Sequence, residues 1–271
     1  MVEMTSEFDG MSRRRLLKIA GAAGLGGAAG LILPGQANAA MEALVSRNYL
    51  GVTSCDLYYE PSGNADSFRF ESNFYNQLSS WRTYLDSNAP TSWGAPTRIY
   101  SYGAYTDKPG MHGAGRAFDI GRIMFENSSG TRQWVSMRYD VWRGYANADY
   151  WKRRYWGTAA GLMRRFRHVL TYMDDRDHWN HIHVDNDLYG ELANCKFTTS
   201  SSSQTYIVQA ACHHAWGIST VIDGDYGPNT EANSTKVLRR IGRTSGTITN
   251  AANFQAFCTA SYRKALGTQA Y

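Results

Sequence analysis

A chain of 271 residues that is 43% hydrophobic and 13% aromatic exceeds one average domain and can bury a sizeable core, which excludes an unfolded polymer. With 18 Tyr, 8 Trp, only 6 Pro and a net charge of +5, the exposed surface is expected to be basic and aromatic. Such a surface suits anionic polymers, cell-wall glycans as well as nucleic acids, although a merely solvated basic face has the same composition.

The first 39 residues are set apart. Ser12-Arg13-Arg14-Arg15-Leu16-Leu17-Lys18 matches a twin-arginine export signature, followed by a Gly/Ala-rich apolar run from Ile19 to Leu33. That run is too short for a comfortable membrane span, so no stable membrane insertion is expected after cleavage. Ala37 and Ala39 are the small residues a signal peptidase takes, which places the mature start at Ala40. Residues 1–39 are therefore read as a cleaved signal peptide, and the chain as secreted by the twin-arginine pathway, already folded.

Residues 40–64 form an irregular lead-in. Between Glu71 and Ser87, Phe74, Leu78, Trp81 and Leu85 recur at helical spacing and predict an amphipathic helix packed on a sheet. Thr97-Arg98-Ile99-Tyr100-Ser101-Tyr102 alternates as a strand and leads into Met111-His112-Gly113-Ala114-Gly115-Arg116-Ala117-Phe118-Asp119-Ile120. There His112 precedes a Gly-rich turn and Asp119 sits in a second strand between apolar Phe118 and Ile120. From Gln133 to Trp156 the chain is dense in Trp, Tyr and Arg; these side chains are expected to pack on one another with partial exposure, and no recognised nucleic-acid module surrounds them. A second helix is predicted from Thr158 to Leu170, with a stripe of Leu162, Met163, Phe166, Val169 and Leu170.

The most informative stretch is Asp177-His178-Trp179-Asn180-His181-Ile182-His183-Val184-Asp185. Read as a strand, it sends His181, His183 and Asp185 to one face and Ile182 and Val184 to the other. The pair still needs an acidic partner, which the upstream block with His112 and Asp119 supplies; two His and one Asp, with a water in the fourth position, make the usual catalytic zinc centre. A His-x-His in a solvated strand is the competing reading, weakened by His112 and Asp119 upstream.

At these residues the chain resembles the zinc D-Ala-D-Ala peptidases and related peptidoglycan endopeptidases. The upstream block resembles their His-x(6)-Asp signature, and the downstream His-x-x-His-x-His resembles the second signature, especially in the extensin-like C-terminal branch. The resemblance implies an α+β domain, a small antiparallel sheet with flanking helices, with Zn²⁺ held by His112, Asp119 and His183 while His181 stays free for catalysis. It further implies that an upstream Arg holds the peptide carboxylate or carbonyl, for which Arg98 is the candidate, although a solvent-facing Arg at a strand edge is the competing reading. Two positions depart from the pattern: Gly110 stands where a Ser is usual, and Asn180 stands where many members carry an Asp or Glu. An amide cannot take a proton from water, so His181 or His178 becomes the candidate base and acid.

The four cysteines are expected to pair within regions, Cys55 with Cys195 and Cys212 with Cys258. Residues 198–204, with four consecutive serines, read as a linker between a catalytic domain of residues 40–197 and a C-terminal module of residues 205–271. Tyr206-Ile207-Val208-Gln209, followed by Asp223-Gly224-Asp225-Tyr226-Gly227-Pro228-Asn229-Thr230, resembles the three-helix type of peptidoglycan-binding module, which implies a small all-α unit. Both resemblances imply a secreted, zinc-dependent peptidase, a D,D-carboxypeptidase or endopeptidase, acting on stem peptides of peptidoglycan. A monomer is expected, and no nucleic acid. The alternative is a non-catalytic cell-wall binding protein with a structural or vestigial zinc site.

Overall fold

Alternation of buried and outward residues along short strands sets the architecture, seen in a computed structural model that describes residues 44–51, 54–186 and 195–271. The expected signal peptide lies outside the described residues. In chain order come β1 (Leu44–Arg47), β2 (Asp56–Tyr59), β3 (Asn64–Ala65), β4 (Phe68–Glu71), β5 (Ala95–Gly103), β6 (Ala117–Glu126), β7 (Arg132–Ser136), β8 (His168–Leu170) and β9 (Ile182–Asp185). β1 and β4 form a two-stranded ribbon; the others form a seven-stranded sheet in the order β3-β2-β5-β6-β9-β8, with β7 also paired to β6. The fold is α+β as expected, but the sheet is mixed rather than antiparallel throughout, because β2 runs parallel to β5.

Helix α1 (Ser72–Asn88) follows β4 directly. The Glu71 carboxylate accepts from the backbone N–H of Asn73 and Phe74 and so caps it. Its predicted stripe of Phe74, Leu78, Trp81 and Leu85 is completely buried. Helix α2 (Ala148–Met163) starts ten residues earlier than the spacing predicts and stops earlier too. Val169 and Leu170, which sit at helical spacing in the sequence, instead pair in β8 with Val184 and His183 of β9. The aromatic region packs largely inward: Trp142, Tyr155 and Trp156 are buried, while Tyr145 and Tyr150 remain exposed.

The C-terminal region is all-helical, with α3 (Ser202–Ala210), α4 (Pro228–Arg240) and α5 (Ala251–Leu266). The serine run begins a helix: the Ser201 hydroxyl accepts from Gln204 N and caps α3. The described residues form one compact unit. Helix α5 lies against α2 at two glycines one helical turn apart. A Cβ on Gly157 would stand 2.1 Å from Ala265 Cβ, and one on Gly161 would stand 3.0 Å from the Tyr262 ring. Buried side chains of α3 and α5 join the same core as those of the sheet.

The expected disulfides do not form. All four cysteines are free thiols, Cys55, Cys212 and Cys258 buried and Cys195 partly so. Cys55 sits beside Arg82 of α1, whereas the Cys195 Sγ accepts from Gln204 of α3 and lies near Cys258. Position near the ends of a segment did not make Cys55 and Cys195 neighbours. Burial pushes the Cys55 and Cys212 thiols up to about 12, and both behave as small apolar groups. Among the described residues no helix is long and apolar enough to cross a membrane.

Candidate metal centre

The site is built where β6 and β9 run antiparallel, because their register places Asp119 directly opposite His183. Residues opposed in this way project to the same face. Ile182 and Val184, on either side of His183, point the other way and are fully buried, so the apolar half of the alternation anchors the polar half. His112 comes from the loop before β6. That loop is closed by Gly115 at φ +67, where a Cβ would collide with Leu44 and the Glu71 backbone, and by an ion pair from Arg116 Nη1 to Glu71 Oε2 at 3.3 Å.

His112 Nε2 lies 3.2 Å from Asp119 Oδ2, and His183 Nδ1 lies 2.9 Å from Asp119 Oδ1. One ligand atom from each of the three residues falls within 4.8 Å of the other two. The outward nitrogens are held by oxygen: His112 Nδ1 donates to the Ala104 carbonyl, and His183 Nε2 lies 2.9 Å from Asp185 Oδ2. An imidazole whose far N–H is fixed by an acceptor presents its other nitrogen as an oriented lone pair, the arrangement found around protein-bound metals. Two imidazole nitrogens and a carboxylate oxygen can therefore hold a metal ion here, and the donor set suits zinc.

Two more imidazoles border the cluster. His181 Nε2 is 3.4 Å from Asp119 Oδ1, and its Nδ1 is 2.6 Å from Asn180 Oδ1. His178 Nδ1 is 2.7 Å from Asp175 Oδ1, with its ring 5.2 Å from that of His181 and 5.9 Å from that of His183. Burial works against charge on Asp119, His183 and His181, and neighbours decide the outcome. For Asp119 the hydrogen bonds to His112 and His183 outweigh burial and hold the carboxyl well below the usual range. For His183 burial is outweighed by Asp119 and Asp185, which raise it to about 9. For His181 burial prevails over Asp119, with help from the neighbouring imidazoles, and lowers it to about 4, so it is neutral near pH 7. The cluster is still reachable, since 25% of the His112 side chain and 13% of His181 are exposed.

His112, Asp119, His183, His181 and His178 thus come together, but Arg98 does not. Arg98 pairs with Met124 whereas Asp119 pairs with Gly103, at the other end of β5, and its guanidinium stacks 4.9 Å from the Tyr58 ring. Sequence reasoning assigned no role to Asp185, the Asp175 carboxylate or the Ala104 carbonyl. Asp185 carried a usable signal, being two residues past His183 in the same alternation; the Ala104 carbonyl carried none. Tyr102, whose ring is 5.8 Å from that of His181, and Arg138, 5.7 Å from the Tyr102 ring, complete the border. Arg138 is itself fixed by Asp140 and by the buried Glu60.

The fold and site define an α+β chain with a three-residue candidate metal centre. Comparison with protein-family models, with curated proteins and with solved structures found no match in any of the three.

Proposed function

We propose that this chain is a zinc-dependent peptidase of the D-Ala-D-Ala peptidase and extensin-like kind, exported to the cell wall, where it hydrolyses stem peptides of peptidoglycan. The observation that carries this reading is the convergence of His112 Nε2, the Asp119 carboxylate and His183 Nδ1, with a neutral imidazole beside them. Zinc, when bound, supplies Lewis acidity: it brings the pKa of a water toward ~7 and polarises a carbonyl. The protein's part is to hold and to move protons. Asp185 and the Ala104 carbonyl fix the two ligand imidazoles. The Asn180 amide oxygen accepts from His181 Nδ1, which leaves the Nε2 lone pair facing the cluster as proton acceptor. Asp175 orients His178, which is placed to return a proton to the leaving amine. The turn from Asp223 to Thr230 is the wall-binding element of the proposal, and its packing against the rest of the chain leaves the site and the binding surface in one body.

Incubation of the mature chain with purified sacculi is expected to release free amines in a chelator-sensitive reaction. H181A is expected to keep its metal and lose turnover; undiminished release by H181A would remove His181 from the mechanism. A second reading, a wall-binding protein with a structural metal, is favoured by Asn180, which puts an amide where a carboxylate base would otherwise stand. On that reading the chain sediments with sacculi and releases nothing.

A further inference from the structure

Beside the cluster, the turn Arg176–Trp179 carries an indole separated from His181 by Asn180 alone. Trp179 is half-buried and rooted in the protein: its edge meets Tyr139 at 5.4 Å and 84°, and Tyr139 stacks at 3.9 Å on Tyr172. Tyr172 in turn accepts from the buried Trp156 Nε1. Two guanidiniums lie on this indole, Arg143 at 4.7 Å and Arg176 at 5.2 Å from the ring centre. Both arginines are exposed. Their surroundings differ from those of Arg116, Arg122 and Arg138. Arg122 and Arg138 are neutralised by Glu60 and Asp140, and Arg116 by Glu71. Arg143 and Arg176 have no carboxylate partner among the described residues. A guanidinium laid on an aromatic face is held in place while the donors on its edge stay open, which suits it to a carboxylate.

We propose that Trp179, Arg143 and Arg176 form a subsite for a free carboxylate of the substrate, so that the site selects acidic peptides over their amidated forms. This rests on the peptidase reading and specifies its substrate class. Arg176 and Trp179 share one turn with His178, whose ring is 5.9 Å from that of His183, so a carboxylate held on this indole lies beside the cluster. They position the substrate and take no part in the proton transfers.

The test uses the metal-loaded full mature chain, a synthetic peptide with free carboxylates and the same peptide amidated. For R143Q/R176Q the expected result is a KM for the acidic peptide raised by about ten-fold or more, kcat within about two-fold, and unchanged metal content, the pattern for loss of uniform binding. R143K/R176K, which keeps the charge without the planar fork, is expected to recover part of the loss. Hydrolysis of the amidated peptide should be the same in all three proteins. An acid-over-amide preference that survives in R143Q/R176Q overturns the subsite. If neither peptide is cut, calorimetric titration separates the two claims. Tighter binding of the acidic peptide that R143Q/R176Q abolishes keeps the subsite and removes the peptidase; equal binding of both peptides removes the subsite as well.

Discussion

The two polar knots of this chain, one around Gln209 and one around Asp119, are built to opposite ends. Gln209 is 1% exposed, and its amide is fully used. Oε1 accepts from the backbone N–H of Asp223 and Gly224, and Nε2 reaches Asp223 Oδ1, the Asp225 carbonyl and Thr230 Oγ1. Around Asp119, by contrast, three imidazoles share one carboxylate, and the outer nitrogens of all three have acceptors of their own. A knot with every group satisfied locks a turn. A knot that aims several lone pairs at one point is suited to a cation. Polar density alone therefore does not mark a functional site; the direction of the unshared donors does.

Breaking each knot should break a different property. H183A is expected to show the largest effect, loss of stoichiometric metal binding with the helical content retained, read by elemental analysis and circular dichroism. Gln209→Leu should do the reverse. It strands the N–H groups of Asp223 and Gly224, at a cost of about 2–5 kcal/mol in denaturant unfolding, while metal stoichiometry of the folded fraction stays the same. Gly157→Ala tests whether the two knots share one body. Its Cβ would meet Ala265, and a loss of about 1–3 kcal/mol in a single unfolding transition is expected, where independent units would give two. The smallest effect is expected from Asp185→Asn, whose amide oxygen still accepts from His183 Nε2; metal affinity should fall by about ten-fold, measured by competition with a chelator.

What the sequence made legible was what local periodicity encodes. The alternation through His181, Ile182, His183 and Val184 carried the strand, its buried face and its polar face together, and the i, i+4 stripe of α1 needed no knowledge of its partners. The Gln209 turn was legible as a motif, but the reason for the glutamine, a side chain that closes the turn, required coordinates. Arg98 was misplaced because β5 is nine residues long and its two ends face different neighbours. The serine run was read by composition as a linker, although serine is equally the residue of helix N-caps. The feature that decides between the two, the close approach of α5 at Gly157 and Gly161, is invisible unless α2 is extended back to Ala148. Cysteine pairing failed for a related reason, since separation along the chain says nothing about which thiols meet.

Zinc K-edge X-ray absorption on the purified mature chain tests the central claim most directly. The account predicts one zinc per chain with a first shell of nitrogen and oxygen at about 2.0–2.2 Å and two imidazoles. Sulfur scatterers at about 2.3 Å, or a chain that retains no zinc after dialysis against buffer, would contradict it.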